Sequence, residues 1–320
     1  MLARRRRSLT QRDEAFCKKF SESHNYELES VRELFREMKQ YMLIDADERE
    51  QEVRSGVTQK NSGILAIDMI FGGLPPGIIQ IYGPPDSYKT SLLVYLACAL
   101  EGDSVYVNAD NKDIPWILNE DIVFVKGSPR ANEIIKDLVS YEAADNVFID
   151  SLPALVRYES FMRTCIRLIS DMPNMSIIFS NQTRTSLYTK QSEPTLTDFI
   201  HSISSVILQV VEIKSYFGGK RVTYESRGRG GDIGFTLCYN TNGSLSNELY
   251  LLDLAIAKGH IVRTGALFKV PGLDNERYTL QDLLQSREIL QQIWEKIFEG
   301  YVFQSNSERY LGRQLTSVAS

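Results

Sequence analysis

From about Gly56 onward, short runs of consecutive apolar residues ("GIIQIYG", "SVYVNAD", "DIVFVKG", "NVFIDSLPAL", "MSIIFSNQ") alternate with helix-length patterns such as "SLLVYLACAL", "ANEIIKDLVSYEA" and "FMRTCIRLISDM". Runs that are apolar at every position suit strands covered on both faces, and helix-length connectors let such strands lie parallel. The pattern therefore predicts an α/β domain with a mostly parallel central sheet. Further on, "SSVILQVVEIKSYFGGKRVTYESRGRGGDIGFTLCYN" brings apolar runs close together across Gly and Asn turns, which predicts closing antiparallel hairpins. "NELYLLDLAIAKGHIV" and "LQDLLQSREILQQIWEKIF" have helical patterns, and "SNSERYLGRQLTSVAS" is polar enough to be a tail. Upstream, "LESVRELFREMKQYMLI" sets Val31, Leu34, Phe35, Met38 and Tyr41 on one helical stripe, which needs a cover. A polar connector, "DADEREQEVRSGVTQKNSG", joins it to the main domain.

Composition adds limits. At 320 residues, 43% hydrophobic and 24% charged, the chain has the balance of a globular protein with one large core. Asp and Glu outnumber Lys and Arg by 41 to 36, so any contact with nucleic acid has to come from local basic clusters. Cys17, Cys98, Cys165 and Cys238 are widely separated, and His24, His201 and His260 are the only histidines, so no metal-ligand spacing arises. The cysteines fit reduced core or surface residues of an intracellular protein. The basic opening "MLARRRRSLTQRDEAFCKK" has no apolar run behind it, and no segment reaches bilayer-spanning length, so a soluble compartment is expected.

The chemistry gathers at "YGPPDSYKTSLLVYLACAL". A phosphate-binding loop needs backbone N–H groups aimed at the anion, a helix N-terminus, a Lys for the outer phosphates and a Ser or Thr hydroxyl for Mg²⁺. Gly83, Lys89, Thr90 and the helix from Ser91 have this spacing after an apolar strand, with Ser87 and Tyr88 in the loop. Tyr88 stands where such loops normally have glycine. A side chain is accommodated there if Tyr88 takes a right-handed helical φ and points its ring out of the pocket, because the cradle is made of backbone N–H groups. Two carboxylates end neighbouring strands: Asp150, the residue type that holds a Mg²⁺ shell, and Asp110, placed to orient and deprotonate water. Ligands of open α/β sheets collect at these carboxyl ends. Together the features predict a nucleoside triphosphatase; a strand–turn–helix with a helix-capping Asp is the plainer alternative.

"SGILAIDMIFGGLPPGIIQIYGPPDSYKT" resembles the core entry of RecA-type strand-exchange recombinases. The likeness runs in order through "YVNADN", "VFIDSLPAL", "IIFSNQTR", "YESRGRGG" and "LYLLDLAIAKGHIVRTGALF", about residues 30 to 270. The aromatic before Lys89 resembles the bacteriophage UvsX-like branch. The resemblance implies a RecA-like P-loop ATPase core over residues 55–245. It implies a basic tail, polymerisation helix and short strand over 1–54, and a small helical C-terminal region with a polar tail over 246–320. Lys89 and Thr90 would bind ATP and Mg²⁺, with Asp150 supporting the metal. Asp110 would replace the family's catalytic glutamate, one methylene shorter, and Gln182 would be the sensor between γ-phosphate and DNA. Arg227 and Arg229 would act in trans on the neighbouring subunit's nucleotide, the alternative being a solvated hairpin.

The resemblance also implies sequence-independent binding of single- and double-stranded DNA by a helical homopolymer with ATP at its subunit interfaces. DNA would be met by Arg157 in a short first loop and by Arg184, Tyr188 and Lys190 in the second, with Arg4 to Arg7 adding charge. Asp113 and Trp116 are candidates for holding the adenine, or packing residues at a helix start. The implied setting is cytoplasmic, the host's if the chain is phage-encoded. The alternatives are a RecA-like filament or mediator with weak hydrolysis, and a hexameric helicase motor, for which residues 1–28 are too few to form an N-terminal domain.

Overall fold

The computed structural model describes residues 18, 29, 32, 59–114, 122–126, 144–154, 174–185, 192–194, 203–228, 233–272, 277–299 and 307–311. The chain divides into two compact units, residues 1–58 with 157–174, and residues 59–156 with 175–320. In the first, Lys18, Glu29 and Arg32 are helical, and Arg32 Nη1 donates to Glu29 Oε2 at 3.1 Å. The stripe from Val31 to Tyr41 lies outside the described residues.

The second unit is built on one large sheet. Its strands are β1 (Gly77–Gly83), β2 (Ser104–Asn108), β3 (Ile122–Lys126), β4 (Asn146–Asp150), β5 (Ser176–Thr185), β6 (Ser192–Pro194), β7 (Val206–Tyr216), β8 (Gly219–Gly228) and β9 (Ile233–Tyr239). They lie in the order β3-β2-β4-β5-β1-β7-β8-β9, with β6 paired on β5. Pairings from β3 through β7 are parallel; β7 with β8 and β8 with β9 are antiparallel. This is the sheet that the uninterrupted apolar runs predict. β1, β2 and β4 are buried at every position, as strands covered on both faces must be.

Helix α1 (Leu65–Phe71) precedes β1, and α2 (Lys89–Ala99) follows it. From α2, Leu92, Leu93, Val94, Tyr95 and Leu96 pack with Ile79, Ile81, Tyr106, Phe148 and Ile178 of the sheet, so the helix that starts at the loop is anchored in the largest apolar cluster. A second cluster joins Leu65 to α3 (Asn247–Ala257) and α5 (Arg287–Phe298). In α5, Ile289, Leu290, Ile293, Trp294, Ile297 and Phe298 recur every three or four residues and form the buried stripe.

The C-terminal region differs from the expectation in three ways. Residues 262–278 carry a small antiparallel sheet, β10 (Val262–Thr264), β11 (Leu267–Lys269) and β12 (Arg277–Tyr278), where a helical continuation was expected. The pattern "LQDLLQSREILQQIWEKIF" is two helices, α4 (Leu280–Gln285) and α5, because Ser286 is extended and its hydroxyl accepts from Ile289 N to cap α5. Finally, "SERYL" is not a polar tail. α6 (Ser307–Tyr310) seats Tyr310 and Leu311 in the second cluster, and Tyr310 Oη donates to Asp68 Oδ2 at 3.1 Å.

Candidate nucleotide site

Gly83 ends β1 under a close approach. A Cβ there would lie 2.7 Å from Val210 Cβ and 3.0 Å from Ser87 Oγ, so the glycine is a packing requirement as well as a loop entry. Beyond it the chain reverses through two left-handed residues, Asp86 (φ 55°) and Tyr88 (φ 64°). Alternation of this kind turns successive N–H groups inward, the geometry of an anion nest. Ser87 is buried and donates to Pro84 O at 2.7 Å, closing the turn. Tyr88 is the N-cap of α2 and offers the helix no side-chain acceptor, so the first turn presents backbone donors to an anion.

The expectation of a right-handed φ at Tyr88 is corrected. The loop geometry imposes left-handed backbone here, which explains why a glycine normally stands at this position. The ring packs on the apolar cluster, with its centroid 4.6 Å from that of Tyr239.

Lys89 is buried, and its ammonium donates to Gly83 O (3.2 Å), Pro84 O (2.5 Å) and Ser87 Oγ (3.0 Å). Burial, together with the neighbouring Lys112 ammonium, pushes Lys89 down to about 8, against the pull of Asp150, Asp86 and Asp110. Next to it, Thr90 Oγ1 donates to Asp150 Oδ2 at 2.7 Å. Asp150 is buried and also receives Tyr106 Oη at 3.3 Å and Ser180 Oγ. A threonine hydroxyl against an oriented carboxylate is a hard-oxygen donor pair, which fits Mg²⁺. Ser91, the third residue of α2, is buried beneath them.

Asp110 follows β2, and its position depends on β4 next door. Ala109 N and Asp110 N both donate to Asp150 O, at 2.7 and 3.2 Å. Ser151 Oγ donates to both Asp110 carboxylate oxygens, at 3.1 and 3.0 Å. Lys112 Nζ meets Asp110 Oδ2 at 2.8 Å. Burial alone would lower the Lys112 ammonium, but hydrogen bonding to Asp110 and attraction to Asp150, Asp110 and Asp86 hold it above its ordinary value. Gln182 lies opposite Gly83 in the β1–β5 register, so the strand pairing brings it beside the loop entry, where it is partly buried.

The structure thus gathers Gly83, Ser87, Tyr88, Lys89, Thr90, Asp110, Asp150 and Gln182 at the carboxyl ends of adjacent strands. Asp113 is exposed beyond this group. Arg227 lies in β8 opposite Ile207, and Arg184 lies in β5 opposite Glu193; these are statements of backbone register. Trp116, Arg157, Tyr188, Lys190 and Arg229 lie outside the described residues. Sequence reasoning missed Lys112, Ser151, Ser180 and Tyr106. Ser151 was findable as the residue after Asp150, and Lys112 as a second charge two residues past Asp110. Ser180 and Tyr106 enter only through strand register.

No protein-family model matches the chain. It is similar to proteins named "Protein RecA": 28% identical to that of Geobacter sulfurreducens over 306 residues, 81% of this chain and 89% of the relative. The similarity to the Nostoc sp. protein of that name is 28% over 309 residues, covering 79% and 85%. For the Bdellovibrio bacteriovorus protein it is 27% over 257 residues, covering 66% and 68%.

Proposed function

We propose that this protein is an ATP-dependent homologous recombination protein that forms filaments on single-stranded DNA and catalyses homologous pairing and strand exchange. Similarity to proteins named RecA along most of the chain supports a RecA-type recombinase at the coarse level. The single observation that carries the nucleotide chemistry is the 2.7 Å contact of Thr90 with Asp150 beside the buried Lys89. A loop that merely joined a strand to a helix would have no reason to set a hydroxyl, a carboxylate and an ammonium at one anion-binding helix end.

In this reading the backbone N–H groups of residues 86–90 cradle the phosphates of ATP, and Lys89 leaves the carbonyls of Gly83 and Pro84 for the outer phosphates. Thr90 and Asp150 would hold Mg²⁺, which when bound neutralises charge on the β- and γ-phosphate oxygens. Asp110 orients an attacking water, whose oxygen bonds to the γ-phosphorus as the bond from phosphorus to the β–γ bridging oxygen breaks. The water proton passes to Asp110, and ADP and inorganic phosphate result. Arg227 and Arg229 serve the neighbouring subunit's nucleotide, Gln182 couples γ-phosphate to the second DNA loop, and Asp113 and Trp116 border the base. Arg157, Arg184, Tyr188 and Lys190 meet DNA. The helix and strand of residues 1–54 pack on the adjacent subunit. Tyr88 supports a place in the UvsX-like branch, hence a bacteriophage protein working in the host cytoplasm.

ATP turnover with and without single-stranded DNA, for wild type and Lys89→Ala, tests the enzyme reading. DNA-stimulated turnover lost in the variant is expected; no turnover in either condition sinks the reading and leaves a filament or mediator without hydrolysis. Joint-molecule formation tests strand exchange, and filaments rather than closed rings under the electron microscope exclude a helicase motor.

A further inference from the structure

Lys112 lies outside the phosphate loop, yet the structure goes to some length to bring it there. Asn108, the buried last residue of β2, accepts from Lys112 N at 3.1 Å and donates from Nδ2 to Lys112 O at 2.6 Å. Between them Asn111 is left-handed (φ 55°), and its N–H reaches back to Asn108 O at 3.4 Å. One buried amide therefore ties both the N–H and the carbonyl of Lys112 to the end of β2. The result is that Asp110 and Lys112 both face the site, joined at 2.8 Å.

Asp110, Asp150 and Asp86 draw this second ammonium to the site and keep it charged, although Lys89 is close enough for Lys112 to contribute to its depression. The Lys112 side chain is 45% exposed, so its ammonium can leave the pair at modest cost, while Asp110, 17% exposed, keeps the two bonds from Ser151. A half-exposed ammonium is readily exchanged onto a stronger anion. The γ-phosphate of a nucleoside triphosphate carries more charge than one carboxylate and offers several acceptor oxygens to the ammonium's three donors.

We propose that Lys112 is a γ-phosphate-binding residue, parked on Asp110 in the nucleotide-free protein and transferred to the outer phosphate when a triphosphate enters. The inference rests on the reading of the Lys89–Thr90 loop as a triphosphate site. A diphosphate leaves the Lys112–Asp110 pair intact, so Asp110 is released toward water only when there is a γ-phosphate to attack. The lysine both discriminates triphosphate from diphosphate and withholds the base until substrate is complete.

The test is equilibrium binding of fluorescent N-methylanthraniloyl-ADP and of the same label on a non-hydrolysable β,γ-imido ATP, each with Mg²⁺ at fixed ionic strength. Wild type, Lys112→Met, Lys112→Arg and Asp110→Asn are compared. Lys112→Met is expected to weaken the triphosphate analogue about tenfold while ADP changes little, the loss of one charge-assisted contact. Lys112→Arg should keep most of the preference, and Asp110→Asn, which frees the lysine, should tighten the triphosphate analogue. Equal effects of Lys112→Met on both ligands, or none on either, overturn the proposal; so does unchanged or weaker analogue binding by Asp110→Asn. Wild type binding neither ligand instead overturns the triphosphate site itself. Thermal melting of each variant near wild type shows that the substitutions leave the fold intact.

Discussion

The ring of Tyr88 lies 4.6 Å from that of Tyr239, centroid to centroid and tilted by 35°, tying the loop of residues 84–88 to the last strand of the sheet. Tyr239 in turn is held by Tyr224, whose hydroxyl lies 2.9 Å from its own in a fully buried contact. The left-handed backbone of Tyr88 costs about 1–2 kcal/mol relative to glycine, and the ring contact returns about 0.5–1.5 kcal/mol. The ring contact therefore offsets much of the backbone strain at residue 88.

That balance sets an unusual order of stabilities. Tyr88→Gly removes the ring and the strain together, whereas Tyr88→Ala removes the ring and keeps the strain. Urea denaturation should find the glycine variant more stable than the alanine variant by about 1 kcal/mol, the reverse of a helix interior. Alanine equal to or above glycine would mean that residue 88 is not left-handed in solution. Tyr88→Phe keeps the ring and should match wild type.

Lys89 gives a pH signature. Its folded value of about 8 lies below the unfolded value of 10.5, so between those limits the unfolded chain binds more protons. Stability contributed by this group therefore rises with pH from about 8 to 10.5 and is constant below that window. The stability of wild type relative to Lys89→Met should accordingly increase across this window in chemical denaturation without nucleotide. A difference that is flat with pH would show that the buried ammonium is not depressed. Triphosphate affinity of the wild type should fall over the same range, because the phosphates need the charged form.

Gln80 sits in the middle of β1, fully buried, with neither Nε2 nor Oε1 hydrogen-bonded among the described residues. An unpaired buried amide costs about 1–3 kcal/mol. Gln80→Leu should raise stability by about 1 kcal/mol in equilibrium denaturation; a loss of that size would show that the amide has a partner, such as an internal water.

Tyr310 closes the chain onto the core. Its hydroxyl accepts from Asn61 Nδ2 at 3.0 Å and donates to Asp68 Oδ2, while Ser62 N and Oγ occupy Asp68 Oδ1 at 2.9 and 2.7 Å. Burial raises the Asp68 carboxyl despite these donors. Tyr310→Phe leaves one carboxylate oxygen short of a donor and should cost about 1–2 kcal/mol. Deleting residues 306–320 should lower the melting temperature further, since Tyr310 and Leu311 are both buried. A deletion that melts with wild type would restore the polar tail.

The sheet was legible because parallel strands covered on both faces are dominated by apolar residues, as "GIIQIYG", "SVYVN" and "NVFID" are, with their polar residues mostly at the strand ends. The loop was legible as a candidate phosphate site because such sites need particular residue types at fixed spacing. The C-terminal seat of Tyr310 was hidden: its partners Asp68 and Asn61 lie more than two hundred residues away, and local polarity says nothing about them. The left-handed state of Tyr88 was masked by its aromatic side chain, although the usual glycine at that position pointed to a positive φ.

Taken by itself, the sequence determined the alternation of strand and helix, the order of the chemical groups along the chain and the resemblance they carry, all of which depend on near neighbours. Only the tertiary structure decided which groups meet. Strand order places β4 beside β2 and β5 beside β1, which sets Asp150 against Thr90, Ser151 against Asp110 and Gln182 opposite Gly83. Those pairings follow from register across a sheet, a long-range property that hydrogen bonds between distant segments fix and that no short stretch of residues contains.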